Sequence, residues 1–265
     1  MNSFLLNLNI TIISLLLILF IKFDTFNNVL VGILGATLLN TIYISYSYRK
    51  NLWSTIKTFT IYRNKEIRFS IAYLYKIKID SKYFLIKSKR IDNLYQPVGG
   101  VYKRLPESVK IFSELKILDD NCLPIDKDSE SDLRIRVSGR NVKKFIDWYK
   151  SEQDREICHW REFCEELLKS RILNPSDFPH IQYRKIRQEK EILIWSDYHQ
   201  CYEYKIFDII EPIFTEVQKK VFEKLIDIKD EKYEWVDESL IKSLGHDNNK
   251  KTSSFRIGNQ TNYII

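Results

Sequence analysis

Charge is what the first 48 residues lack. They hold one lysine, Lys22, and one aspartate, Asp24, so the chain's net charge of +7 resides entirely after residue 48. Two uncharged runs result, residues 4–21 and 28–48. Each reaches the length of about 20 residues that a bilayer crossing requires. No basic stretch precedes the first run and no small-residue cleavage site comes after it, which argues against a cleaved signal peptide. Cysteine is sparse as well: Cys122, Cys158, Cys164 and Cys201 form no CxxC and no paired spacing, so a zinc framework is not expected. Reduced thiols in a cytosolic domain are the simpler account. Glycine is rare, at 7 residues, so the pair Gly99-Gly100 stands out. No internal repeat is evident.

Behind the apolar head comes a basic body. That split predicts a membrane hairpin of two helices, 4–21 and 28–48, joined by the short link 22–27 and leading into a folded domain. Arg49, Lys50, Lys57, Arg63 and Lys65 come just after the second run. Basic residues stay on the cytoplasmic side, so the C-terminal domain is expected in the cytoplasm of a multi-pass inner-membrane protein. Gly32, Gly35 and Ala36 give the second run a small-residue face on which helices can approach closely. Residues 49–65 read as a connector. A Lys-rich surface would suit phosphate-bearing ligands or lipid headgroups, and equally is an ordinary solvated surface.

From residue 66 the texture is mixed. Strands are expected over 66–79 and 82–89, turning at Asp80-Ser81. The segment YQPVGGVYKR, 95–104, combines two glycines that let a backbone approach a ligand with Lys103 and Arg104, and Lys87, Lys89 and Arg90 precede it. Residues 105–132 read as a polar surface insertion with a helical stretch around 107–117, 133–137 as a short strand and 141–169 as helical with a break near 151–155. Three strands are expected at 181–187, 191–197 and 203–209. An amphipathic helix comes next, with Val217, Val221, Leu225 and Ile228 on one face. Residues 232–244 read as a strand turning into a short helix, and 255–265 as a closing strand.

Within the helical stretch lies REFCEELL, 161–168. Helical spacing puts Glu162, Glu165 and Glu166 at i, i+3 and i+4, on one face. Three carboxylates so placed could hold Mg²⁺ or Mn²⁺, or form a solvated acidic face.

REFCEELL resembles the second half of the Nudix box, with Arg161, Glu162, Glu165 and Glu166 on its fixed positions and Leu168 where the box has glycine. The Gly99-Gly100 turn resembles the start of that box, but the position where an acid belongs is Pro106, with Glu107 one residue off, and Gln153 stands eight residues before Arg161. The order of elements from 66 to 265 is similar to the Nudix sandwich, an α+β fold with a mixed sheet. Joined to two membrane helices, it resembles the SMODS-associated NUDIX family, the two-transmembrane NUDIX effectors of CBASS anti-phage systems. That resemblance implies a sensor of a cyclic di- or oligonucleotide made by a CD-NTase, which on binding self-associates in the inner-membrane lipid and breaches it. Ligand contacts would come from Gln96, Gly99, Gly100, Tyr102, Lys103 and Arg104, with no cofactor required and no DNA or RNA bound. The alternative is a membrane-anchored hydrolase in which Glu162, Glu165 and Glu166 bind Mg²⁺ and serve catalysis.

Overall fold

The computed structural model describes residue 32, residues 34–40, residue 43, and residues 53–120, 129–246 and 255–265. The chain divides into two units, Met1–Ile61 and Tyr62–Ile265. In the first, residues 34–40 and 53–59 are helical. Among the described residues no helix is long and apolar enough to cross a membrane. The run 4–21 lies outside the described residues, as does much of 28–48. A Cβ added at Gly32 or Gly35 would meet no atom of the described residues within 4 Å.

The second unit opens with five strands: β1 (Glu66–Tyr75), β2 (Lys78–Ile79), β3 (Lys82–Lys87), β4 (Leu94–Gln96) and β5 (Gly99–Val101). Then come α1 (Val109–Leu115), β6 (Leu118–Asp119), β7 (Arg134–Ser138), α2 (Val142–Ser151) and α3 (Trp160–Phe163), which runs on as a π-helical turn, Cys164–Leu168. The long pair β8 (Gln182–Ser196) and β9 (Cys201–Ile213) is next, then α4 (Glu216–Ile226), β10 (Tyr233–Val236), α5 (Glu238–Lys242) and β11 (Arg256–Ile257). A 3-10 segment, Asn259–Ile264, ends the unit.

β1 is the spine. Its alternate residues Ile67, Phe69, Ile71, Tyr73 and Tyr75 are fully buried. β-branched and aromatic side chains suit such a doubly covered strand. Around it the first sheet runs β6-β7-β1-β9-β8, with β5 paired to the far half of β1; the second runs β10-β3-β4-β11, with β2 on β3. β1 is antiparallel to β5 and β7 and parallel to β9, so the sheet is mixed, as the α+β reading expects. On its less apolar side, Arg68 is clamped by Asp120 at 2.8 Å and Glu203 at 2.6 Å, all three nearly buried.

Five expectations change. The strand expected over 66–79 breaks after Tyr75, leaving β1 in one sheet and β2 in the other. The closing strand expected over 255–265 is only β11, with a 3-10 segment after it. The strands placed at 181–187 and 191–197 are one strand, β8, which passes through 188–190 and absorbs irregular register between Lys185 and Arg187 and between Ile192 and Ile194. Bulges let a ladder continue where strict alternation fails, and continuity keeps the backbone groups paired. The buried face of α4 is rotated from the one expected: Val221 and Leu225 do pack on the core, but Gln218 and Phe222 are the buried centre, while Val217 and Ile228 are largely exposed. Phe222 decides this, because its ring meets Phe84, Phe178 and Phe214, and the capping box of Thr215 and Gln218 fixes the helix start. Residues 105–132, read as a surface insertion with a helical stretch, hold that helix as α1, but β6 after it delivers Asp120 into the buried pair with Arg68; residues 121–128 lie outside the described set.

Candidate functional site

The two motifs singled out in the sequence meet. β5 lies antiparallel on β1, with Tyr73 opposite Gly100 and Leu74 opposite Gly99. The glycine pair is therefore strand, not turn. Gly99 has φ +147°, and a Cβ there would sit 2.1 Å from the Tyr73 carbonyl oxygen. A Cβ on Gly100 would fall 2.0 Å from Glu162 Oε1. Both absences of a side chain are used, one to pass β1 and the other to admit α3.

Arg161 ties the helix to the strand. Its guanidinium donates to both carboxylate oxygens of Glu156 at 2.9 and 3.0 Å, to Glu162 Oε1 at 2.6 Å and to the carbonyl of Val101, 60 residues away, at 2.9 Å. Glu165 Oε2 stands 3.4 Å from it and also faces Lys169. Glu166 lies in the π-helical turn. Lys169 N–H reaches back to the Cys164 carbonyl at 2.8 Å, and Ile172 N–H to that of Leu167 at 3.0 Å. The winding here is wider than that of an α-helix, yet Glu162 and Glu166 both reach the adjacent glycines of β5. Glu162 lies under Gly100, Glu165 is partly exposed, and Glu166 is buried with Oε2 accepting the Gly99 N–H at 2.8 Å.

The electrostatics reflect this placement. Burial raises the Glu162 carboxyl above its ordinary value, and Arg161 opposes the shift. Burial pushes Glu166 up to about 8, against the pull of the Gly99 N–H, so the carboxyl is mostly protonated at neutral pH. Among the described residues no group of three His, Cys, Asp or Glu side chains is placed to hold a metal ion. One carboxylate is taken up by Arg161, another shared between Arg161 and Lys169, and the third neutral.

Beside Glu166 a cleft of about 350 Å³ opens, lined by Ile86, Lys87, Ser88, Lys89, Glu166, Ser170, Ile172, Glu231 and Lys232. A second, shallow depression adjoins it at Ile172 and carries Lys169 and Arg171. Lys232 Nζ donates to the Ser170 carbonyl at 3.1 Å, which seats that cation on the cleft wall. Three strand-end lysines and two more cations thus border a surface whose deepest acid is uncharged. Such a surface attracts anions and can donate to them.

The other expected contacts fall elsewhere. Gln96 is half-buried at the end of β4 and its Oε1 accepts from Gln260 at 3.3 Å. Lys103 Nζ is bound to the Glu130 carbonyl at 2.7 Å and faces Asp132 at 3.5 Å. Arg104 pairs with Asp119 at 2.8 Å and lies over the Phe112 ring. Tyr102, expected to stack on a base or pack on a neighbouring ring, does the second. It is 1 % exposed, with its ring 4.9 Å from that of Tyr73. Its hydroxyl lies 2.7 Å from both Asp208 Oδ2 and His159 Nε2. One phenolic proton serves the Asp208 carboxylate, which assigns the Nε2–H tautomer to His159. Burial lowers that imidazole to about 4, so it is neutral.

Reading the sequence passed over Lys232 and Ser170, and took Lys87 and Lys89 only as a basic lead-in to the glycines. The two-residue spacing of Lys87 and Lys89 was the available signal, since it sets both on one side of an extended chain. Residues 66–265 match the family model described as the SMODS-associated NUDIX domain. Searches of the curated proteins and of the solved structures found no match.

Proposed function

The chain belongs to the SMODS-associated NUDIX family, and from that premise we propose that it is a membrane effector of CBASS antiviral defence whose second unit binds a cyclic di- or oligonucleotide made by a CD-NTase. The observation that carries the binding reading is the lysine-bordered cleft beside a neutral Glu166. Phosphodiesters are singly charged and bind through charge-assisted hydrogen bonds, for which Lys87, Lys89 and Lys232 are suited. A cleft of about 350 Å³ is at the small end of ligand sites. It takes one phosphate–sugar portion, while the neighbouring depression with Lys169 and Arg171 takes the next. The uncharged runs 4–21 and 28–48 anchor the chain in the inner membrane, and ligand binding favours their assembly and breaches the bilayer. A ligand drives that assembly only by its greater affinity for the assembled form.

Calorimetry of the full chain in detergent against a panel of cyclic di- and oligonucleotides tests this. One member is expected to bind and to be recovered intact, with affinity weakened in Lys89→Glu. Failure of every member to bind overturns the reading. Metal-dependent product formation that disappears in Glu166→Gln overturns it in favour of a Nudix hydrolase.

A further inference from the structure

One end of the first sheet gathers features that the nucleotide cleft does not use. β1 begins there, with Glu66 opposite Ser138 of β7 and Ile67 level with Tyr202 of β9. The β8–β9 hairpin turns at the same end, where Trp195 pairs with Tyr202 and Ser196 with Cys201. An aromatic row crosses it: Tyr62 and Tyr202 have ring centroids 4.5 Å apart, and Tyr202 and Trp195 5.1 Å. At the outer end of the row, Ile194 and Trp195 are about half exposed and Tyr198, on the turn, is 82 % exposed.

Cations border this row. Lys65 and Arg140 are neighbours, since Gly139 N–H donates to the Lys65 carbonyl at 3.0 Å and Arg140 N–H to the Arg63 carbonyl at 3.1 Å. Lys144 lies in the first turn of α2, just beyond. All three are exposed, and among the described residues none has an ion-pair partner. The nearby acids are largely committed: Glu66 to Arg136, Asp147 to Lys143, and Glu203 to Arg68 and Lys205; Asp197 is exposed at the turn.

We infer that this end of the second unit, with Lys65, Arg140 and Lys144 flanking exposed Trp195 and Tyr198, docks on an anionic lipid surface. Tyrosine and tryptophan settle at headgroup depth because they are apolar in body and polar at one edge, and lysine and arginine are drawn to anionic headgroups. The occupant is identified by position too. Tyr62, in the aromatic row, is the first residue of this unit, and the chain before it carries the two uncharged runs. The docking rests on the reading of those runs as a membrane anchor, and it sets how the folded unit meets the bilayer.

Hydrogen exchange of the full chain, mixed with phosphatidylcholine vesicles or with vesicles containing about 30 % phosphatidylglycerol, tests it, with exchange in 62–66, 138–144 and 194–202 expected to slow about tenfold on the anionic vesicles alone. The slowing should vanish in high salt and in the triple variant Lys65→Glu, Arg140→Glu, Lys144→Glu. Unchanged exchange elsewhere in that variant shows that it folds. Equal exchange on both vesicles overturns the proposal, as does protection that survives the charge reversal. Protection that appears without lipid and grows with protein concentration overturns it in favour of a second copy. A chain that stays in solution with neutral vesicles overturns the anchor, and the anionic vesicles still test the docking.

Discussion

Two basic pairs flank the glycines in sequence, Lys87 with Lys89 before them and Lys103 with Arg104 after, and their surroundings differ. The later pair is engaged: Lys103 by Glu130 and Asp132, Arg104 by Asp119 and the face of Phe112. The earlier pair lines an open cleft beside a carboxyl that burial keeps neutral. Adjacency to a glycine motif therefore says little about which cations can meet a ligand. A cation is available when the fold supplies it no acid, and acids arrive from distant stretches of chain.

The comparison is tested most severely at the strand that separates the two pairs. Gly99→Ala must place a Cβ 2.1 Å from a β1 carbonyl at a φ that L-residues avoid. A loss of about 4 kcal/mol or more is expected in urea unfolding. A fully stable variant would show that β5 does not lie on β1 as described.

Glu166 gives the next largest effect. It holds its proton to about pH 8 when folded and loses it near its ordinary 4.5 when unfolded. Between those values the folded chain binds more protons, so stability falls as pH rises through the window, by about 1.4 kcal/mol for each pH unit. Glu166→Gln keeps an oxygen for the Gly99 N–H and should flatten that part of the profile. An unchanged slope would remove Glu166 as its source.

Arg161→Ala strips a partly buried guanidinium from Glu156, Glu162 and the Val101 carbonyl. A loss of about 2 to 3 kcal/mol in the same measurement is expected. If the three glutamates instead serve as a metal cage, added Mg²⁺ should restore the lost stability, and no restoration is expected.

The smallest effects set the two basic pairs directly against each other. Lys89→Glu should weaken nucleotide binding about tenfold, equivalent to about 1.4 kcal/mol, while stability stays within about 0.5 kcal/mol. Arg104→Ala should do the reverse, costing about 1 kcal/mol of stability and changing affinity less than about twofold. Equal effects of both on affinity would remove the distinction.

Much of the fold was legible. β1, the β2–β3 hairpin, α2 and the β10–α5 turn all arise from local periodicity or turn residues, and Asp80 indeed takes the left-handed conformation at the hairpin. The face of α4 was read half right, with Val221 and Leu225 on the core but its centre missed, because that centre depends on which aromatic ring finds partners. Phe222 finds Phe84, Phe178 and Phe214 from three other stretches of the chain. Of the expected contact residues, Gly99 and Gly100 do sit by the carboxylates, Tyr102 lies in the core, and Lys103 and Arg104 hold structure. Lys232 was out of sight because nothing near it in the chain marks its approach to Ser170, 62 residues earlier.

What the sequence determined by itself was short-range: an uncharged head, a basic body, amphipathic segments and a motif carrying three glutamates. These depend on residues a few positions apart, and their spacing is written in the chain. Tertiary structure decided how the motif is used. Only the packing of β5 on α3 shows that the glycines make room for carboxylates, that Arg161 occupies two of them, and that a π-helical turn carries the third under Gly99. The physical reason is that charge state and access depend on burial and on partners brought from far along the chain, and neither is set by local spacing.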